Sequence, residues 1–367
     1  MRSGSAVSLS VGEPSREDAA TRRSLRIWVD LSTAPDPLFF RPIVRRLTDQ
    51  GHWVWVTARD YGSTGSIARQ CGYTFELIGR HGGQATAAKV LATAARVRDL
   101  ARQMRAQRLD LATSFNSYAQ AVAARMHRLP FVTFSDYEYQ PANHLAFRLA
   151  GLVVVPDGFD RRQLRRQGAT PERVLSYPGL KEDVTVADFS PDPSFFARLT
   201  ALGVPPDAVL VTMRPPATAS LYHRFENDWF FDVVRLVAAR PKVTIIVTCR
   251  YPEQAERVRA FGLANVIVPE TVLDGLNLVH SSDLVISAGG SMNREAVALG
   301  TPAASVFAGR MAGVDRHLID RGLLVNLAGP ADLDRLVVDK KPVQVARDRP
   351  SPVDDLVASL VAAAGAG

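Results

Sequence analysis

At 367 residues, with 47% hydrophobic and 22% charged residues, the chain has the make-up of a folded protein of about two domains, which excludes disordered and fibrous classes. No apolar run reaches the roughly 18–20 residues that cross a bilayer, so the sequence predicts no membrane span. The net charge of +7 permits attraction to phosphates. Lys stands only at Lys89, Lys181, Lys242, Lys340 and Lys341, however, and the many Arg residues are scattered without a stripe, so no nucleic-acid partner is expected.

Residues 1–24 are rich in Ser, Arg, Glu and Asp without periodicity and predict a disordered tail. The run 21–28 glances at a twin-arginine signal, but Asp30 and Pro35 interrupt its apolar region, so no export signal is expected. Cys71 and Cys249 have no metal-like neighbours, which predicts reduced thiols and a cytoplasmic location.

A first strand is predicted at 25–31, followed by a turn at 32–37 that carries Pro35 and Pro37. The spacing of Phe40, Ile43, Val44 and Leu47 predicts a helix over 39–50, closed by Gly51, with a second strand at 53–58. The alternation continues with strands at 74–78, 109–113, 131–134, 152–155 and 174–176 and helices at 85–107 and 119–127. Such a βαβ series predicts a doubly wound parallel sheet, a Rossmann-like domain over 25–180. Five prolines between 178 and 206 predict a loop-rich linker over 181–206. A second α/β domain over 207–340 has strands at 209–213, 243–248, 266–268, 284–286 and 303–307. A tail over 341–367 ends in a helix at 352–364.

The stretch 281–302 organises the second domain. The apolar run Leu284-Val285-Ile286 reads as a buried strand, Ala288-Gly289-Gly290-Ser291 as a turn open to positive φ, and the following residues as a helix stopped by Gly300 and Pro302. Strand, glycine turn and helix start aim backbone N–H groups and a positive helix end at an anion, usually phosphate. Glu295 on that helix is placed to accept from a sugar hydroxyl.

Several short motifs then share one likeness. They are Phe39-Phe40-x-Pro42, Gly51-His52, Val56-Thr57-Ala58-Arg59-Asp60, Gly79-Arg80-His81-Gly82-Gly83 and Asp136-Tyr137-Glu138 in the first half. Tyr177-Pro178-Gly179-Leu180-Lys181-Glu182, Arg214-Pro215-Pro216, Gly289-Gly290-Ser291-Met292, Arg294-Glu295-Ala296 and Gly313-Val314-Asp315 follow in the second. As a set they resemble an uncharacterised prokaryotic family of GT-B-fold, glycosyltransferase-like proteins. More distantly the chain is similar to MurG-type N-acetylglucosaminyltransferases and non-hydrolysing UDP-GlcNAc 2-epimerases.

The resemblance implies two Rossmann-like domains facing a cleft, the second holding a nucleotide-sugar, the first meeting a small-molecule or glycan acceptor. By it, the Gly289, Gly290, Ser291 and Met292 turn contacts the donor diphosphate and Glu295 the ribose. The loop from Val268 faces the base, and Arg310 and Asp315 meet the donor sugar. Arg214 ends a strand at its carboxyl edge and either clamps a phosphate or pairs with a nearby acid. His81 is a candidate acceptor or phosphate contact and Tyr222 and His223 candidate covers for the nucleotide, with plain loop roles open for all three.

Transfer of a glycosyl unit needs cations and N–H groups for the departing diphosphate and a base for the acceptor hydroxyl. Asp36, in the first loop where many relatives carry His, is the first candidate base, with Asp136 and Glu138 as alternatives. A turn role for Asp36 and a salt-bridge or cap role for the other two stay open. The epimerases carry an acid after the strand matched to 109–113, where Thr113 and Ser114 stand here, and a histidine near Met213. Epimerisation is therefore the alternative function, and a binding protein without turnover a further one. No metal-ligand spacing occurs, so no metal or other cofactor is expected. The arginines at 96, 98, 102, 105 and 108 read as a solvated basic face, which ranks ahead of peripheral membrane contact.

Overall fold

The computed structural model describes residues 23–80, 86–216, 228–342 and 351–365. Short, mostly apolar runs such as Val243–Val247 and Leu152–Pro156 form the central strands, because a strand covered on both faces by helices needs no alternation. The first sheet contains β1 (Arg26–Leu31), β2 (Trp53–Asp60), β3 (Glu76–Arg80), β4 (Leu111–Phe115), β5 (Phe131–Phe134), β6 (Leu152–Pro156) and β7 (Val174–Tyr177). The second contains β8 (Val209–Arg214), β9 (Val243–Val247), β10 (Val266–Ile267), β11 (Leu284–Ser287), β12 (Ala303–Ser305) and β13 (Val325–Asn326). All pairings are parallel, in the orders β3-β2-β1-β4-β5-β6-β7 and β10-β9-β8-β11-β12-β13. These are two Rossmann-like sheets of the GT-B architecture. In each, the strand order reverses direction between two central strands: β1 and β4 in the first sheet, β8 and β11 in the second. A crevice opens at the carboxyl ends of such a pair.

Both cores are aromatic and aliphatic. Phe39 stands edge-on to Phe40 and Phe134 at 5.1 and 5.2 Å between ring centres, beneath the first sheet. The C-terminal helix, Val353–Gly365, returns to this first domain. Its buried Val353, Leu356, Val357 and Leu360 join the cluster of Phe40 and Leu47, and Asp354 pairs with Arg46 at 3.0 Å.

Several expectations are corrected. The first helix begins at Asp36 rather than after the prolines (Asp36–Asp49), because Pro in a first helical turn forfeits an N–H that has no partner anyway. β4 runs two residues further than expected, to Phe115. Thr113 and Ser114 are fully buried within it, and the residues leaving the sheet are Asn116 and Ser117. The linker carries two helices, Lys181–Thr185 and Phe195–Ala201, and β13 was not foreseen. Arg96 is 3% exposed, so the Thr86–Met104 helix does not present it to solvent or a membrane. No helix among the described residues is long and apolar enough to cross a membrane. Of the expected tail, residues 1–22 lie outside the described residues. Arg23 and Ser24 are held by Asp110 and by the Gly51 carbonyl.

Candidate active site

The two switch points face each other across a cleft of about 480 Å³. The first domain's wall is made by Ser32–Asp36 after β1 and by Asn116–Tyr118 after β4. The opposite wall is made by Arg214, which ends β8, by Pro215 after it, and by Gly289–Met292, which follow β11.

On the second-domain wall the Gly290–Ala298 helix points its N-terminus into the cleft, with Ser291 exposed beside it. Gly289 adopts φ −145°, so the expected positive φ is not used. Space is the requirement instead: a Cβ on Gly290 would overlap the Arg294 guanidinium. Ser287 fixes the turn, its Oγ accepting from Gly289 N at 3.1 Å. Arg214 and Arg250 both line this wall. Arg214 Nε is buried without a hydrogen-bond partner. Burial and the neighbouring Arg250 charge push the Arg214 guanidinium down to about 10, with Glu295 opposing. Burial, aided by Glu182 and opposed by Arg214, pushes the Glu295 carboxyl up to about 7. Two cations beside a helix N-terminus are the chemistry that suits an anion of two charges.

Where the domains touch, one buried network joins them. Arg294 Nε reaches both oxygens of Glu182 at 3.1 Å, Nη1 reaches Asp315 at 3.1 Å and Nη2 reaches Asp136 at 3.2 Å. Lys181 Nζ joins Asp136 at 3.1 Å, and no side chain in the network is more than 10% exposed. Burial alone would raise the Asp136 pKa, but Lys181 and Arg294 outweigh it and hold the carboxyl below its ordinary value. The rest of the Asp136-Tyr137-Glu138 motif also clasps the second domain. Tyr137 Oη donates to the Arg310 carbonyl at 3.2 Å, and Glu138 Oε1 accepts from Gly313 N at 2.9 Å. A Cβ on Gly313 would overlap Glu138 and the Gly158 carbonyl, so only glycine allows this approach.

On the first-domain wall Asp36 is 2% exposed. Its Oδ2 accepts from Ser32 N at 2.7 Å and Thr33 N at 2.9 Å, and Oδ1 accepts from Thr33 Oγ1 at 2.6 Å. Burial lifts its carboxyl to about 6 against those hydrogen bonds. Behind it Asp30 holds Arg96 at 2.7 Å, Ser117 Oγ at 2.6 Å and Thr57 Oγ1 at 2.6 Å, a filled network that braces the β1–β4 edge.

A family described as "Protein of unknown function (DUF354)" matches residues 25–358. The chain belongs to this family. Within reach of this DUF354 chain is an uncharacterized protein of Methanocaldococcus jannaschii, MJ0665, 28% identical over 83% of this chain and 88% of its own. Solved structures share the fold. The UDP-GlcNAc 2-epimerase from Methanocaldococcus jannaschii superposes with a TM-score of 0.69 at 14% identity, covering 92% of this chain and all of that one. Anabaena HepE in complex with UDP-glucose gives 0.59 at 18% identity, covering 93% and 94%.

The expected site residues of this DUF354 chain fall into four groups. Asp36, Asp136, Arg214, Gly289, Gly290, Ser291, Met292 and Asp315 line the one cleft. Glu295 stands behind it, within electrostatic reach of Arg214. Glu138, Val268 and Arg310 are not on its lining: Glu138 serves the domain clasp, Val268 packs on the second core, and Arg310 lies over the Tyr139 ring at 3.7 Å. His81, Tyr222 and His223 lie outside the described residues. Among the described residues no group of three His, Cys, Asp or Glu could hold a metal ion. Sequence reasoning missed Arg250. It follows β9 as Arg214 ends β8, so the parallel register of neighbouring strands was the signal available.

Proposed function

We propose that the protein moves a glycosyl unit from a nucleotide-sugar, a UDP-sugar by analogy with the UDP-glucose in the HepE structure, to an acceptor in the same cleft. The observation that carries this reading is the pairing of Arg214 and Arg250 with the Gly289–Met292 helix start on one wall, opposite a carboxyl on the other. The donor leaves as a diphosphate, and its growing charge meets two guanidinium groups and oriented N–H dipoles that need no rearrangement. In this reading Glu295 accepts from the ribose hydroxyls and Asp36 takes the proton of the acceptor hydroxyl as the glycosidic bond breaks. A carboxyl titrating near 6 is mostly ionised at neutral pH and still basic enough to share a proton in the transition state. Asp136 is a poorer base because two cations hold its charge. The chain's own cations suffice for the leaving group, so the proposal includes no cofactor.

Epimerisation at C2 would need groups to remove and return a proton on the sugar. The residues leaving β4 are Asn116 and Ser117, neither of which is an acid, and Met213 is buried in the core ahead of Arg214. Incubation with UDP-N-acetylglucosamine in deuterated water is therefore expected to leave the C2 proton unexchanged by NMR. Deuterium at C2 would show an epimerase instead.

A further inference from the structure

Among the described residues six cations line the cleft: Arg59, Arg96, Lys181, Arg214, Arg250 and Arg294. Three are already committed. Arg96 is paired with Asp30, Lys181 with Asp136, and Arg294 with Asp136, Glu182 and Asp315. Arg214 and Arg250 line the same wall as the glycine turn, and on the reading proposed above they answer the two charges of the donor diphosphate. Arg59 remains. It lies near the carboxyl end of β2, one strand from the β1–β4 switch point and on the opposite wall from the glycine turn.

Among the described residues no carboxylate lies within ion-pair distance of Arg59, and its Nε is buried without a hydrogen-bond acceptor. The Tyr61 ring lies 5.4 Å from the guanidinium carbon to the ring centre. A buried N–H without an acceptor is costly, and a guanidinium presents Nε and Nη as a fork that fits two oxygens of one oxyanion. The motif Val56-Thr57-Ala58-Arg59-Asp60 thus places on the acceptor side of the cleft a cation that the donor diphosphate does not use.

We propose that Arg59 binds a second anionic group of the substrates, a carboxylate or phosphate, on the first-domain wall. The inference rests on the nucleotide-sugar reading above. Two sources share that chemistry: an acidic donor sugar, or an acceptor that carries a phosphate or carboxylate.

Calorimetry on the full chain separates them. UDP is expected to bind the wild type and Arg59→Gln equally, because its diphosphate sits on the other wall. If the anion belongs to the donor, UDP-glucuronate binds the wild type more tightly than UDP-glucose, and Arg59→Gln erases a gap of about ten- to hundredfold. If it belongs to the acceptor, glucose 1-phosphate binds the UDP-saturated wild type, methyl glucoside does not, and Arg59→Gln abolishes the binding. Arg59→Lys, which keeps the charge and loses the fork, is expected to fall between. Equal responses of wild type and Arg59→Gln in both arms, with UDP bound to each, would overturn the Arg59 assignment alone. Failure of UDP to bind the wild type would overturn the nucleotide-sugar reading and the inference with it.

Discussion

Replacing Arg294 by Leu is expected to destabilise the protein by about 3–5 kcal/mol, the range for breaking a buried ion pair by removing one partner. The arrangement makes the loss severe. Arg294 contacts all three of Glu182, Asp136 and Asp315, so its removal leaves three buried carboxylates with only Lys181 beside them. Urea unfolding followed by probes in each domain would measure it, since two domains need not unfold as one. Removing Glu182 as well, as Leu, should recover part of the loss, because deleting both partners of a buried pair is often near neutral. The contribution of Asp136 has a defined sign with pH. Its folded pKa lies below the unfolded 3.8, so its stabilisation is fully present above that value and is lost as acid carries the pH down through the folded one. A change below about 1 kcal/mol in the single variant, the range of an exposed pair, would mean that the network does not hold the domains together.

Asp36→Asn is expected to lower donor turnover, read as UDP release, by about two to four orders of magnitude. UDP affinity should be unchanged, because Asp36 is on the wall opposite Arg214 and Gly289. The hydrogen bonds suggest that the variant folds. An amide oxygen at the Oδ2 position still accepts from Ser32 N and Thr33 N, and the Thr33 hydroxyl can rotate to accept where it now donates. The wild-type rate should rise with pH through about 6, as the carboxyl ionises, and that limb should vanish in the variant. Turnover that survives the change would remove Asp36 from the chemistry. Loss of folding would instead assign it to holding the 32–36 turn.

The fold was legible because its signals are local. A bounded run such as Val243–Val247, every residue of it buried, reads as a covered strand wherever it stands. The phosphate-facing turn was legible for the same reason: strand, glycines and helix start are contiguous. The domain clasp was not. Arg294 meets Glu182 across 112 positions and Asp136 across 158, and nothing in a composition or a periodicity couples residues so far apart. Lys181 and Glu182 stood in a stretch rich in proline that read as linker, yet they occupy the domain junction. Arg96 misled because a charge on a basic helix is usually solvated, whereas here Asp30, hidden in a strand of apolar residues, draws it inward. The end of β4 was misplaced because Thr113 and Ser114 are polar and fully buried, which a hydropathy reading takes for a strand's end.

On the proposed reading a nucleotide-sugar sits on the wall of Arg214, Arg250 and the Gly289–Glu295 segment. Calorimetric titration of UDP-glucose into the wild type and Glu295→Ala, at several pH values from 6 to 8, tests it directly; the diphosphate of UDP-glucose has no titration in that window. Binding to the wild type is expected to be saturable and to tighten as the pH rises through about 7, because ribose hydroxyls donate best to an ionised Glu295. Glu295→Ala should bind more weakly by about 1.5–3 kcal/mol at the upper end, with the pH dependence gone. Equal affinities and equal pH profiles in two folded proteins, or no binding to either, would contradict it.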